Sequence, residues 1–316
     1  MKKKNVAIIG AGGFLGLSIS KALSRKGYKV YGLIRSRKSN NQDVYNNLKI
    51  KSIEVGNLEE VKKINLQGIK FDYIINLAAR AHIRKKISKK GKNLVKTFTN
   101  IERNIVKNFD VENVKLIHLS SAKVKLKNSN LPISENEFLY INAKLESESI
   151  IRKNFNKYII LRPPLIYGPH VKANFLALIK AIDFGLPLPF SRTKNFRSYL
   201  YVENLVDLIL KVIDENKFMN NYYYVCDGNA VSTKHLSDLI AKYLSKKPFY
   251  FNINNNILYF FAKIIQKQGL LNKVIGDFIV NNNKIKKDIG WSPKYNLKLG
   301  IKNTCFWYKT MVKMKS

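Results

Sequence analysis

A doubly wound parallel α/β sheet with a smaller, mostly helical C-terminal lobe is the architecture this 316-residue sequence predicts. Three observations predict it. Short β-branched runs alternate with helical patterns over the first two-thirds of the chain, the pattern of a parallel sheet covered on both faces. A glycine-rich turn, Gly10-Ala-Gly-Gly13-Phe14-Leu15-Gly16, joins the first strand to the first helix. After Pro169 the alternation stops and helical patterns take over.

The strands are expected at residues 6–10, 29–34, 50–55, 73–77, 115–120, 158–162 and 222–226. Helices are expected between them, among others at 17–26, 93–108 and 140–154, the last beginning at Tyr140. Right-handed crossovers then bring the ligand to the carboxyl ends of the strands. Residues 175–184 and 205–215 read as helices around Gly185-Leu-Pro-Leu-Pro189, and a mostly helical tail follows Asp227-Gly228. The first domain is expected to take residues 1–170 and to return at about 195–230. The second takes about 171–195 and 231–316.

Composition narrows the classes of function. Apolar residues make up 46%, enough for a buried core, and Cys226 and Cys305 are too few for a disulfide framework. His82, His118, His170 and His235 lack paired ligand spacing, so no metal site is expected. The lysine-rich start and uncharged run at 5–20 superficially resemble a signal peptide. That run instead carries four glycines at fingerprint spacing and no small-x-small cleavage site. No stretch reaches the ~18 apolar residues of a membrane span, and a cytoplasmic location is expected.

With 57 Lys and Arg against 21 Asp and Glu, the net charge is +36. Lysine outnumbers arginine 47 to 10, spread along the chain, and the densest basic cluster, residues 80–96, has no aromatic rings to stack on bases. Specific nucleic-acid binding is not expected. Weak association with an anionic membrane surface is, as is steering of an anionic substrate. Residues 257–267 mix apolar and basic side chains and read either as a helix on anionic lipid or as a helix capping the second lobe.

The glycine turn suits a dinucleotide pyrophosphate. Gly10 permits the tight turn, Gly13 lets the backbone approach the phosphates, and Gly16 lets the helix pack on the strand with its N-terminal N–H groups toward the anion. The second strand ends Leu33-Ile34-Arg35-Ser36-Arg37, with no acid before Asp43. An acid there would bind a ribose 2′-hydroxyl; guanidiniums suit a 2′-phosphate, so NADP is favoured over NAD. The competing reading of Arg35 is a solvated basic loop.

Ser121 follows an apolar strand, and Tyr140 and Lys144 stand one helical turn apart as Tyr-x-x-x-Lys. Oxidation at a carbinol needs a base for the hydroxyl proton while hydride leaves the carbon. A free tyrosine, pKa about 10, is a poor candidate near neutrality; a neighbouring ammonium favours its phenolate. Ser121 would hold the substrate oxygen.

These residues, together with Asn76-Leu-Ala78-Ala79-Arg80, Leu161-Arg-Pro163-Pro-Leu-Ile-Tyr-Gly-Pro169, Val171-Lys-Ala-Asn174-Phe, Arg197-Ser-Tyr-Leu-Tyr-Val202 and Gly290-Trp-Ser-Pro293, resemble the extended short-chain dehydrogenase/reductase family of nucleotide-sugar epimerases, dehydratases and reductases. The resemblance runs over nearly the whole chain and is strongest to a surface-polysaccharide branch. That branch holds UDP-glucose 4-epimerase-like proteins and reductases of UDP-4-keto-6-deoxy-HexNAc. It implies a Rossmann fold with Ser121, Tyr140 and Lys144 as catalytic residues. Gly10, Gly13, Phe14, Leu15 and Gly16 would hold the cofactor pyrophosphate; Ala78, Ala79, Arg80 and Pro163 would line the cofactor. Asn174 and Arg197 would meet the substrate diphosphate. A homodimer is compatible with it.

Departures from the family pattern include Asn57-Leu58 where relatives carry Asp-Leu or Asp-Ile at the adenine, Thr97–Asn100 in place of Asn-Val-x-Gly-Thr, Leu165 for a frequent Asn, and Asn204 for a frequent Asp. Ala122-Lys123 stands where a 4,6-dehydratase needs Asp-Glu, so dehydration is not expected. No Cys lies beside Ser121 to pair with His170, which reads as a loop histidine. What remains is a C4 epimerase of a UDP-hexose or UDP-HexNAc, or an NADPH-dependent 4-ketoreductase using the same residues. A non-catalytic NAD(P) sensor is a third reading, and an intact proton relay argues against it.

Overall fold

The structure, a computed structural model, describes residues 3–35, 50–61, 63–78, 91–129, 133–189, 191, 195–251 and 276–313. They form two compact units. The first comprises Met1–Pro163, Val206–Tyr224 and Lys284–Trp291; the second comprises Pro164–Leu205, Val225–Asn283 and Ser292–Ser316. The cut differs from the one drawn on sequence in four places. Residues 164–170, 195–205 and 225–230 fall in the second unit, and Lys284–Trp291 falls in the first.

In the first unit, strands β1 (Asn5–Ile9), β2 (Lys29–Ile34), β3 (Lys51–Glu54), β4 (Tyr73–Asn76), β5 (Lys115–Leu119), β6 (Lys157–Arg162) and, later in the chain, β9 (Asn221–Tyr224) form a sheet. The order is β3-β2-β1-β4-β5-β6-β9, with every pair parallel. Each of the seven expected strands is present to within a residue or two at its ends. The sheet is flanked by helices, among them α1 (Phe14–Arg25), α2 (Gly91–Asn108) and α3 (Glu135–Asn154). The reversal of order at β1 and β4 makes the switch point where a doubly wound sheet offers a crevice.

Alternation along the strands explains the helix positions. Ala7 and Ile9, Tyr31 and Leu33, Ile74, Leu116 and Ile160 form one buried cluster with Ile101 and Ile105 of α2, Phe109 just past it and Ile151 of α3. The intervening Val6, Ile8, Val30, Ile75, Ile117 and Ile159 are just as buried. Both faces are therefore covered, which is why the strands read as continuous apolar runs.

Helix α3 starts five residues before the expected Tyr140. Ser134 caps it, its Oγ accepting the Glu137 N–H at 3.4 Å, with Glu135 and Glu137 in the first turn. That is the Ser-x-x-Glu signal of a helix start, and it moves Tyr140 and Lys144 into the helix interior.

The segment Lys284–Trp291 carries most of a short helix, α7 (Asn283–Ile289). It is tied down by polar contacts within the first unit. Tyr223 donates to Asp288 at 3.0 Å, and the Trp291 indole N–H donates to Asp207 at 3.0 Å. Trp291 is 1% exposed.

The second unit contains a short parallel pair that sequence patterning does not predict, β7 (Leu165–Tyr167) with β8 (Tyr199–Tyr201). Strands of three residues are too short to show a period. Helices α4 (Ala173–Asp183), α6 (Thr233–Leu244) and α8 (Leu297–Lys313) belong to this unit, and α5 (Val202–Asp214) begins in it. Tyr167 stacks on Phe175 with centroids 5.2 Å apart. A Cβ at Gly300 would lie 2.4 Å from the Tyr167 hydroxyl, so glycine is what lets α8 approach. Asn204 donates to Asp227 at 2.8 Å and accepts the Tyr295 N–H at 2.9 Å. Where an Asp would repel Asp227, the amide bonds it. No helix of the described residues is long and apolar enough to cross a membrane.

Candidate active site

The glycine turn has the geometry its sequence predicts. Gly10 sits at φ +84°, which L side chains rarely adopt, and its carbonyl accepts the Gly13 N–H at 3.1 Å. A Cβ on Gly16 would come within 2.3 Å of the Gly10 carbonyl and 2.5 Å of Ala11 Cα, so α1 packs on this turn only because residue 16 has none. Helix α1 begins at Phe14 and Leu15 with Gly13 as N-cap; no side chain caps it and its first turn carries no acid. Such an end offers N–H groups and the positive pole of the helix dipole to an anion.

Beside it is a cavity of ≈ 520 Å³, floored by Ile9, Gly10 and Gly13 and walled by Leu33, Val55, Leu58 and Ala78, with Arg35 and Asn57 also on its lining. Arg35 ends β2, exposed, its guanidinium donating to Asn57 Oδ1 at 3.5 Å. Asn57 also receives the Glu59 N–H at 3.4 Å. The glycine turn, the uncapped helix end and the apolar walls fit the pyrophosphate and adenosine of a dinucleotide. Ala79 and Arg80 lie outside the described residues.

Ser121 stands just past β5, as expected. It caps the 3-10 helix Ala122–Asn128, its Oγ accepting the Lys123 N–H at 3.2 Å. The Ala122 N–H donates to the Pro163 carbonyl at 2.8 Å, which fixes the serine loop against the end of β6. Ser121 and Tyr140 share a hydrogen bond. Tyr140 is half-buried and Lys144, one turn on, is 1% exposed, its Nζ donating to the Leu119 carbonyl at 3.2 Å. Lys123, ion-paired to Glu137 at 2.6 Å, sits 5.9 Å from the Tyr140 ring centre.

Burial, first, and the Glu137 carboxylate raise the Tyr140 phenol above its ordinary range, opposed by the Ser121 hydrogen bond. The folded site does not by itself present an acidic phenol. Burial also lowers Lys144, against the pull of Glu102 and Glu148.

Sequence reading missed the polar cluster behind these residues. Glu148, fully buried, accepts the Ser120 hydroxyl at 2.6 Å, Arg162 through two bonds at 2.9 and 2.5 Å, and Arg152 at 2.7 Å. Arg162 lies 3.6 Å from the Tyr222 ring centre. Glu102, 2% exposed on α2, accepts from Asn76 at 3.0 Å and from Ser147 at 3.0 Å. The available signals were the Lys144, Glu148, Arg152 ladder at i, i+4 and a carboxylate set among Ile101 and Ile105.

In the second unit, Asn174 is exposed at the second position of α4. Arg197 pairs its backbone with Val231 in both directions, at 2.9 and 3.0 Å, and its guanidinium donates to the Gly276 carbonyl at 2.5 Å. Its charged end lies 5.7 Å from the Phe278 ring centre. Cys226 and Cys305 are buried free thiols, and no cluster of metal-ligating side chains occurs among the described residues.

A seven-stranded parallel sheet flanked by helices, with a glycine turn after its first strand, is a Rossmann-type fold. The model of the NAD dependent epimerase/dehydratase family matches residues 6–226, and the chain belongs to that family. It is 28% identical to a UDP-glucose 4-epimerase of Vibrio cholerae over 95% of this chain and 94% of the relative. Its fold matches a UDP-glucuronic acid 4-epimerase of Bacillus cereus solved with NAD (TM-score 0.71, 18% identity, 98% of this chain and 97% of that one). It also matches a UDP-glucose 4-epimerase of Thermotoga maritima solved with UDP-glucose (TM-score 0.69, 19% identity, 98% and 99%).

Proposed function

We propose that this protein is an NAD(P)-dependent epimerase acting at C4 of a UDP-hexose or UDP-HexNAc through a transient 4-keto sugar. The observation that carries the reading is the hydrogen-bonded Ser121–Tyr140 pair with buried Lys144 one turn away, in the same unit as the uncapped glycine turn. The similarity to the Vibrio cholerae epimerase along nearly the whole chain supports it. A bound NAD(P) would supply the reversible acceptance of hydride that C4 oxidation needs.

The protein's own residues supply the rest. Gly10, Gly13, Phe14, Leu15 and Gly16 would hold the cofactor's pyrophosphate, while Ala78, Pro163, Asn57 and Leu58 would shape its surroundings. Tyr140 takes the 4-hydroxyl proton and later returns it. Ser121 holds the same oxygen by hydrogen bond, and Lys144 favours the phenolate by its charge. Asn174 and Arg197 bind the diphosphate.

One observation favours a second reading. Arg35, at the end of β2 beside the cavity and bonded to Asn57, suits a 2′-phosphate. A cofactor consumed as external reductant is commonly NADPH, and a 4-ketoreductase of a UDP-4-keto-6-deoxy-HexNAc would use the same residues. Incubating the purified protein with UDP-sugars, while following NAD(P)H absorbance and the sugar epimers, separates the two. An epimerase interconverts C4 epimers without net reductant; stoichiometric loss of NADPH on a 4-keto sugar selects the reductase. Neither outcome with any UDP-sugar would overturn both.

A further inference from the structure

Lys144 is a buried ammonium with two buried carboxylates acting on it, and they are not equivalent. Glu148 is spoken for: Arg162 forks onto it and Arg152 adds a third charged bond. With two guanidiniums on one carboxylate, that cluster has no negative charge left over for Lys144. Glu102 differs. Among the described residues its hydrogen bonds come from neutral donors, the Asn76 amide and the Ser147 hydroxyl. Ser147 lies three residues after Lys144 on the same face of α3, which brings Glu102 of α2 against the lysine's turn.

We propose that Glu102 is a positioning residue for the proton relay: it supplies the buried counter-charge that keeps Lys144 an ammonium one helical turn from Tyr140. The inference rests on the proposed roles of Tyr140 and Lys144. The other titratable group at this junction, His118 on β5, does not compete. Its Nδ1 lies 3.9 Å from Glu102 and takes the Asn76 amide at 3.2 Å, so the Nδ1 position accepts a hydrogen bond. Burial and the Lys144 charge hold His118 well below its ordinary range and therefore neutral. Lys144 and Glu102 then form the charge-coupled pair: burial raises Glu102 and lowers Lys144 overall, while the ammonium pulls Glu102 down and the carboxylate pulls Lys144 up. A buried charge left without its partner neutralises. Loss of Glu102 therefore discharges Lys144 and removes the field that favours the phenolate.

The test reads the phenol directly. Residue 140 is replaced by 3,5-difluorotyrosine in the full-length protein, and its 19F shift is followed against pH in the parent, Glu102→Gln and Lys144→Met proteins. Glu102→Gln should raise the phenol midpoint by about one unit, tenfold in the ionisation constant, in the same direction as Lys144→Met. The pair of substitutions should add little beyond Lys144→Met alone. A lower or unchanged midpoint in Glu102→Gln overturns the proposal, because a merely structural role would lower the melting temperature without raising the phenol. Should Glu102→Gln not fold, Ser147→Ala removes one donor to the carboxylate. A smaller upward shift supports the proposal and none overturns it. The titration needs no sugar, so failure of the epimerase reading shows separately, as absence of UDP-sugar turnover with the upward shift intact.

Discussion

Ser121, Tyr140 and Lys144 stand just past a strand of the large sheet and inside a capped helix, whereas Arg197 lies on two isolated backbone bridges and Asn174 in the first turn of a helix with no side-chain cap. Ser121 follows a five-residue strand flanked on both sides by parallel neighbours. Tyr140 and Lys144 lie inside a twenty-residue helix with a side-chain N-cap. Arg197 sits on isolated bridges to Val231 and Phe278, and Asn174 follows Ala173, a non-glycine residue at φ +57°. Under the proposed roles, the groups that move the proton sit on elements set by extended backbone hydrogen bonding, and the substrate ligands sit on less regular ones.

Substitutions on the two sides should therefore fail in different ways. Tyr140→Phe should cost the most, about 10²–10⁴-fold in turnover, while the melting temperature and dinucleotide affinity stay as in the parent. Turnover within a few-fold of the parent would move the proton relay to another residue and dissolve the comparison. Arg197→Ala should cost about 2–5 kcal/mol, mainly in binding, read by calorimetric titration with UDP, with cofactor affinity unchanged. Normal UDP affinity with impaired dinucleotide binding would reverse the assignment of Arg197 to the substrate. The smallest effect is expected at the rim of the cavity. Arg35→Asp should shift the NADPH-to-NADH affinity ratio toward NADH by about tenfold, ~1.4 kcal/mol, through repulsion of the 2′-phosphate. An unchanged ratio would make Arg35 one more charge on a basic surface.

The same contrast governs how much of the molecule could be read in advance. Strand and helix positions in the first unit follow from periodicity, because each buried strand must be continuously apolar and each glycine of the turn is demanded by local sterics. The Tyr-x-x-x-Lys pair is legible because its spacing is one helical turn wherever the helix starts. Even so, placing the start at Tyr140 overlooked the capping signal of Ser134 and Glu137, six and three residues upstream. Glu102, Glu148 and His118 could not be assigned from spacing. They converge from α2, α3 and β5, and as isolated letters a Glu in a helix or a His in a strand has an ordinary solvated or core explanation.

By itself, then, the chain determined its strands, its dinucleotide turn and the identity of the groups at the end of β5 and on α3, since these depend on neighbours within a few residues. Only tertiary structure decided the short β7–β8 pair, the return of residues 284–291 to the first unit through Tyr223–Asp288 and Trp291–Asp207, and the meeting of Glu102 with Ser147 on the turn after Lys144. Those outcomes depend on which side chains meet after packing. The electrostatics follow the same division: whether a phenol or an ammonium keeps its charge is set by what burial removes and what partner replaces it.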